Sequence, residues 1–167
     1  MKLKTFVTII IVLSVLGVTA GCGSGTTVNT KDGAVTIQDN NVKVQTKDGK
    51  SEITVGKEGE VSLPDGYPAE TVPIITGGKV SAAMKNEDQD KKLTFFVTVT
   101  SDKDPKEIKQ FYQNALQGAT DTTSTETPEG FFTTGTKGDN VYSVTISTDP
   151  SNSKQQTIIQ IVVAPKS

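Results

Sequence analysis

The chain has 167 residues and a net charge of −2; all 17 basic residues are lysine, there is one cysteine, and histidine and tryptophan are absent. Without histidine no side chain has an unperturbed pKa near neutrality, a Ser–His or Cys–His nucleophile pair cannot be assembled, and a zinc site of the usual His/Cys type lacks its ligands. A mildly acidic chain without arginine also argues against nucleic acid binding, which needs clustered positive charge, and against bidentate recognition of phosphate or carboxylate.

Lys2 and Lys4 precede FVTIIIVLSVLGV at 6–18, thirteen residues without a charge. A short positive region followed by an apolar stretch of this length predicts a secretion signal over residues 1–21. The stretch is too short for a membrane-spanning helix, which needs about twenty apolar residues. Small side chains at Thr19, Ala20 and Gly21 then lead directly into Cys22. The string TAGC resembles the lipobox of bacterial lipoproteins, with Thr19 where that motif most often has leucine. The resemblance implies cleavage before Cys22 and a diacylglyceryl group on its sulfur, with the new amino end open to acylation. Each buried methylene contributes about 0.8 kcal/mol, so one acyl chain holds only marginally and two hold stably. The expected location is the extracytoplasmic face of the cell membrane, with the protein anchored by lipid. Cys22 is the sole cysteine, so an internal disulfide is impossible.

Residues 22–62 are expected to form a lipidated tether with short β repeats. VNTKDG at 28–33 recurs as VQTKDG at 44–49, sixteen positions later. Val35 and Ile37, Val42 and Val44, and Ile53 and Val55 alternate with polar residues between Asp-Gly and Asn-Asn turn signals. Two apolar side chains per segment offset little backbone ordering, so the region reads either as β-hairpins or as a flexible repeat. The proline- and glycine-rich stretch 63–78, LPDGYPAETVPIITGG, opens the following domain, 63–167.

Val80, Ala82 and Met84 predict a strand, and Leu93, Phe95, Val97 and Val99 a second one, with a charged turn over 86–92. Asp104 is a good N-cap, Pro105 suits the first helical position, and Glu107 completes a capping-box pattern. Ile108, Phe111, Tyr112, Ala115 and Leu116 then fall on one stripe of a helix that stops at Gly118. ATDTTSTETPE at 119–129 reads as a polar loop. Strands follow at 130–137, around Tyr142, Val144 and Ile146, and around Ile159, Ile161 and Val163. The order β-β-α-β-β-β predicts an α+β domain: a mostly antiparallel sheet of about five strands, one amphipathic helix, two layers. LPDGYPAETVPIITGGKV and DPKEIKQFYQNAL resemble a group of Gram-positive surface lipoproteins with a small α+β domain. That resemblance implies a surface-attached, non-catalytic domain.

Carboxylates are the only acid–base candidates. Glu87, Asp88 and Asp90 fall in a turn, and Asp102 and Asp104 flank the helix start; solvated and capping roles explain them, so no catalytic residue is expected. Asn86, Asp88 and Asp90 have the spacing of a calcium loop. Lys91 stands where its glycine belongs and Val97 where its glutamate belongs, so no metal site and no cofactor are expected. Strand alternation sends Phe96 and Phe131 to the face away from the helix, where loop 119–129 or the strands of 23–62 are expected to cover them. The sequence thus predicts a monomeric, non-catalytic lipoprotein with a binding or structural role. Its partners would be the membrane, through Cys22, and an envelope protein or small ligand. The alternatives are a ligand-sensing or accessory subunit of an envelope complex, and a carboxylate-based cell-wall hydrolase.

Overall fold

A computed structural model describes residues 26–30, 33–38, 41–46, 49–55, 61–128, 130–148 and 156–166. Thr19, Ala20, Gly21 and Cys22 lie outside them. The elements in chain order are β1 (Thr26–Thr30), β2 (Gly33–Gln38), β3 (Asn41–Thr46), β4 (Gly49–Val55), β5 (Lys79–Asp88), β6 (Leu93–Ser101), α1 (Pro105–Ala115), β7 (Thr120–Thr127), β8 (Gly130–Lys137), β9 (Asn140–Thr148) and β10 (Thr157–Pro165). All ten strands form one antiparallel sheet in the order β1-β2-β3-β4-β5-β6-β10-β9-β8-β7.

This corrects the expected five-stranded, two-layer α+β fold: the described residues are mostly β, with a single short helix. The difference has two sources. First, the repeat region is a four-stranded meander that joins the sheet directly, because β4 pairs with β5 from Gly49↔Asp88 to Val55↔Ala82. Each of its strands is short, but edge-to-edge pairing lets them share one sheet instead of needing a core of their own. Second, the threonine-rich loop is strand β7, paired with β8. All eight of its residues are exposed. An edge strand with no buried face leaves no alternation of apolar residues, although threonine itself favours strands.

The glycine of the repeat has a packing reason. A Cβ on Gly33 would strike the Gln45 carbonyl oxygen, and one on Gly49 the Glu87 carbonyl oxygen. Both glycines open a strand, β2 and β4, where the neighbouring backbone passes too close for any side chain.

The core lies on one face of the β6-β10-β9-β8 half. Val97, Val99, Val144, Ile146, Ile159 and Ile161 line it, and Ile108, Tyr112 and Leu116 of the helix segment close it together with Val72 and Ile75 of the connector. Helix α1 starts as the sequence predicts: the Asp104 carboxylate accepts a hydrogen bond from the Lys106 N–H at 2.8 Å, and Pro105 follows. Lys103 pairs with Glu107 one turn on. At the other end the Lys137 ammonium reaches the Ala115 carbonyl, a favourable position for a cation against the negative end of the helix dipole. Gly118 at φ 80° then turns the chain away.

The connector 61–78 runs over the same face. Tyr67 donates to the Val72 carbonyl at 2.7 Å and stacks edge-on against Phe95, centroids 5.8 Å apart. Lys85 donates to the Asp65 carbonyl at 2.9 Å, which ties the connector to β5.

Candidate functional site

Residues directly opposite one another on adjacent strands point to the same face of a sheet. The register therefore assigns each paired strand residue to a face. On the face that carries α1, one row across the sheet runs Thr27, Thr36, Lys43, Glu52 and Lys85, then Phe95, Val163 and Tyr142. It is polar and charged through β5 and becomes core at β6. Lys43 and Glu52 form a cross-strand ion pair at 3.0 Å.

The opposite face has the reverse order. Ile37, Val42, Ile53, Met84, Phe96 and Val162 form one continuous apolar row across β2-β3-β4-β5-β6-β10, which turns polar at Ser143 and Thr134. A neighbouring row adds Val28, Val35 and Val44 before reaching the hydrogen-bonded pair Ser51–Asn86. The α1 face is therefore apolar from β6 onward, the opposite face is apolar from β2 to β10, and the two overlap at β6 and β10. Throughout β1 to β6 and β10, the open face bears charge only at Lys79 and Asp88, the first and last residues of β5.

No described side chain of β1–β4 is buried. Val28 and Val55 are 42% and 51% exposed, and the other aliphatic residues on this face of β1–β4 are half-buried. Depletion of charge in an aliphatic patch is the compositional mark of an interface centre, whereas overall hydrophobicity is not.

The aromatic pair expected on this face is only half present. Phe96 is there, but Phe131 lies on the other face, 7% exposed, with Lys109 over its ring. Its neighbour Phe132 is the outward aromatic, 38% exposed, in the row Thr98, Gln160, Thr145, Phe132. Neither expected cover sits over the face: β1–β4 continue the sheet beside β5, and β7 continues it beside β8. Sequence reasoning missed the aliphatic row because it kept the strands of 23–62 separate from the sheet. Their alternation was visible; their register with Phe96 was not.

The acidic candidates do not converge. Asn86 is held by Ser51 inside β5, the Asp88 carboxylate accepts from the Lys92 N–H at 2.8 Å, Asp90 and Asp102 are exposed, and Asp104 caps α1. Among the described residues no three His, Cys, Asp or Glu side chains cluster as metal ligands would. A depression of about 170 Å³ opens between Thr127, Gly130, Phe132, Thr145 and Ser147. It is smaller than the roughly 300–1,000 Å³ typical of small-molecule sites.

Two tyrosines on the covered side are perturbed. Burial pushes Tyr67 and Tyr112 well above the usual tyrosine range, Tyr67 further through Tyr112 and Tyr112 with partial relief from the Ile75 backbone. The Tyr112 hydroxyl nevertheless has no well-formed hydrogen bond among the described residues. Both rings belong to the packing beneath α1, on the side of the sheet opposite the open face. Among the described residues no helix is long and apolar enough to cross a membrane.

No family model, no curated protein and no solved structure matches the chain.

Proposed function

We propose that the protein is a lipid-anchored extracytoplasmic lipoprotein whose sheet has a binding or structural role rather than a catalytic one. The observation that carries this reading is the run of an uncharged thirteen-residue stretch, then Thr19, Ala20 and Gly21, then the sole cysteine, Cys22. The missing histidine supports the non-catalytic part of the reading, as does the separation of the carboxylates.

The position of β1 adds a consequence. Thr26 opens the first strand four residues after Cys22. At no more than about 3.6 Å per residue, the sheet edge would lie within about 15 Å of the lipidated sulfur. The 22–62 region would then hold the sheet close to the bilayer instead of lifting it away. A second reading, an accessory subunit of an envelope complex, is favoured by the uncharged open face and its outward Phe96 and Phe132.

The test is mass spectrometry of the protein purified from its membrane, together with a Cys22→Ala variant. The expected result is a diacylglyceryl adduct on a leading Cys22 and accumulation of unprocessed chain in the variant. An unmodified Cys22 thiol, or a Cys22→Ala chain processed and held like the parent, overturns the anchor.

A further inference from the structure

The open face poses a physical problem that the described residues do not solve. Strands β1–β4 are amphipathic: Lys43, Glu52, Lys50 and Gln45 point to one side, and Val35, Val44, Ile37 and Val42 to the other. A half-polar antiparallel sheet is stable when its apolar side is covered. Helix α1 and the connector cover the other side, where the core draws on β5, β6, β10, β9 and β8 and on no described residue of β1–β4. The apolar side of the meander needs a second layer of its own.

From these observations we infer that this face is a homodimer interface, on which the meander of a second copy packs sheet against sheet. Four features select a second copy. The face is uncharged away from the ends of β5, so a charged peptide or nucleic acid has nothing to pair with. Across β1–β4 it is built mainly from valine and isoleucine at strand spacing. The aliphatic face of a sheet is complemented by another aliphatic sheet face about 10 Å away, and a twofold axis uses the same patch twice. The area also suffices. Six strands about 4.8 Å apart and roughly seven residues long give a face of roughly 700 Å². The pair would bury about twice that, within the 1,200–2,000 Å² of standard stable interfaces.

In such a dimer the axis passes between β3 and β4, at the middle of the six strands β1–β6, near the directly opposed pair Val42 and Ile53. Phe96 and Met84 lie toward one rim and Val28 toward the other. The ion pair Lys43–Glu52 stays on the outside. The dimer replaces the monomer expected from the sequence and stands independently of the lipid anchor, since every contact belongs to the folded strands.

The experiment uses the full chain in a density-matched detergent, with its mass measured by sedimentation equilibrium. The expected mass is that of two chains, unchanged between roughly 0.1 and 1 M NaCl because an apolar interface is not screened. Ile53→Lys and Val42→Glu are each expected to return it to one chain, and Lys43→Gln to leave it at two. Because a charged substitution in a strand can unfold it, a second measurement uses thiols in a Cys22→Ser background. Val42→Cys is expected to form a disulfide-linked dimer on mild oxidation, and Lys43→Cys on the outer face to stay single. One chain at every concentration, two chains persisting in both charged variants, or equal cross-linking from both faces overturns the interface. So does a single-chain protein that binds neutral phosphatidylcholine vesicles through Ile53, which would assign the face to lipid.

Discussion

Removing the same oxygen from two tyrosines should change stability in opposite directions. Tyr112 is fully buried, and its hydroxyl has no well-formed hydrogen bond among the described residues. A buried polar group left unsatisfied costs about 1–3 kcal/mol. Tyr112→Phe removes that cost and keeps the ring, including its edge-on contact with Phe111 at 5.0 Å. The small void left by the oxygen offsets part of the gain, so a net stabilisation of about 1 kcal/mol is expected. Tyr67 differs, because its hydroxyl donates to the Val72 carbonyl at 2.7 Å, and Val72 is fully buried. Tyr67→Phe strands that carbonyl and should cost about 1–3 kcal/mol. For a domain of this size 1 kcal/mol moves Tm by roughly 2–8 °C. Thermal unfolding followed by circular dichroism should therefore place Tyr112→Phe above the parent and Tyr67→Phe below it. A fall in Tm for Tyr112→Phe as large as that for Tyr67→Phe would refute the reasoning, because it would mean that the Tyr112 oxygen has a strong partner.

Three further outcomes follow from the same packing. Tyr67 and Tyr112 hold their protons above the usual tyrosine pKa near 10, so the folded state binds protons that the unfolded state has released. Their contribution should be constant below about pH 10 and be lost above it, at up to about 1.4 kcal/mol per pH unit for each tyrosine; denaturant titrations from pH 8 to 11.5 measure the slope, and a flat profile contradicts it. Asp104→Ala removes the carboxylate that accepts from the Lys106 N–H and should cost about 1 kcal/mol, whereas Asp104→Asn should cost little. Gly130→Ala drives a methyl into the Ile146 carbonyl oxygen and should separate β8 from β9 at that end, seen as faster amide exchange in β8 and a loss of more than about 1 kcal/mol.

Much of the second half of the chain was legible. The strands around Phe95, Val144 and Ile161 and the helix from Pro105 appear where alternation and capping place them, because each buries one face and therefore carries a period. What was illegible had no such period or depended on distant pairing. Strand β7 offers only Thr, Ser, Asp and Glu, so nothing in it marks an inside. The phase of 130–137 was read one residue out: Phe131 is the inward aromatic and Phe132 the outward one, and two adjacent phenylalanines cannot reveal their own parity. The union of β4 with β5 brings together strands separated in the chain by residues 56–78. Only register across that gap places Ile53 beside Met84, and a single sequence does not contain it. The open face was therefore visible as scattered valines and isoleucines, but not as one surface.

The meander also has a modular character. Strands β1 to β4 pair only in succession along the sheet, and the KDG unit recurs once, sixteen residues on, one hairpin's worth of chain. An architecture that grows by nearest-neighbour addition can gain or lose a whole unit without a change of phase, since two strands restore the original direction and the original inward side. Duplicating or deleting sixteen residues at Val28 or Val44 would widen or narrow the platform by about 10 Å while the module beneath α1 kept every contact. Reach, in this molecule, is a quantity that tandem duplication can tune separately from the stability of the folded body.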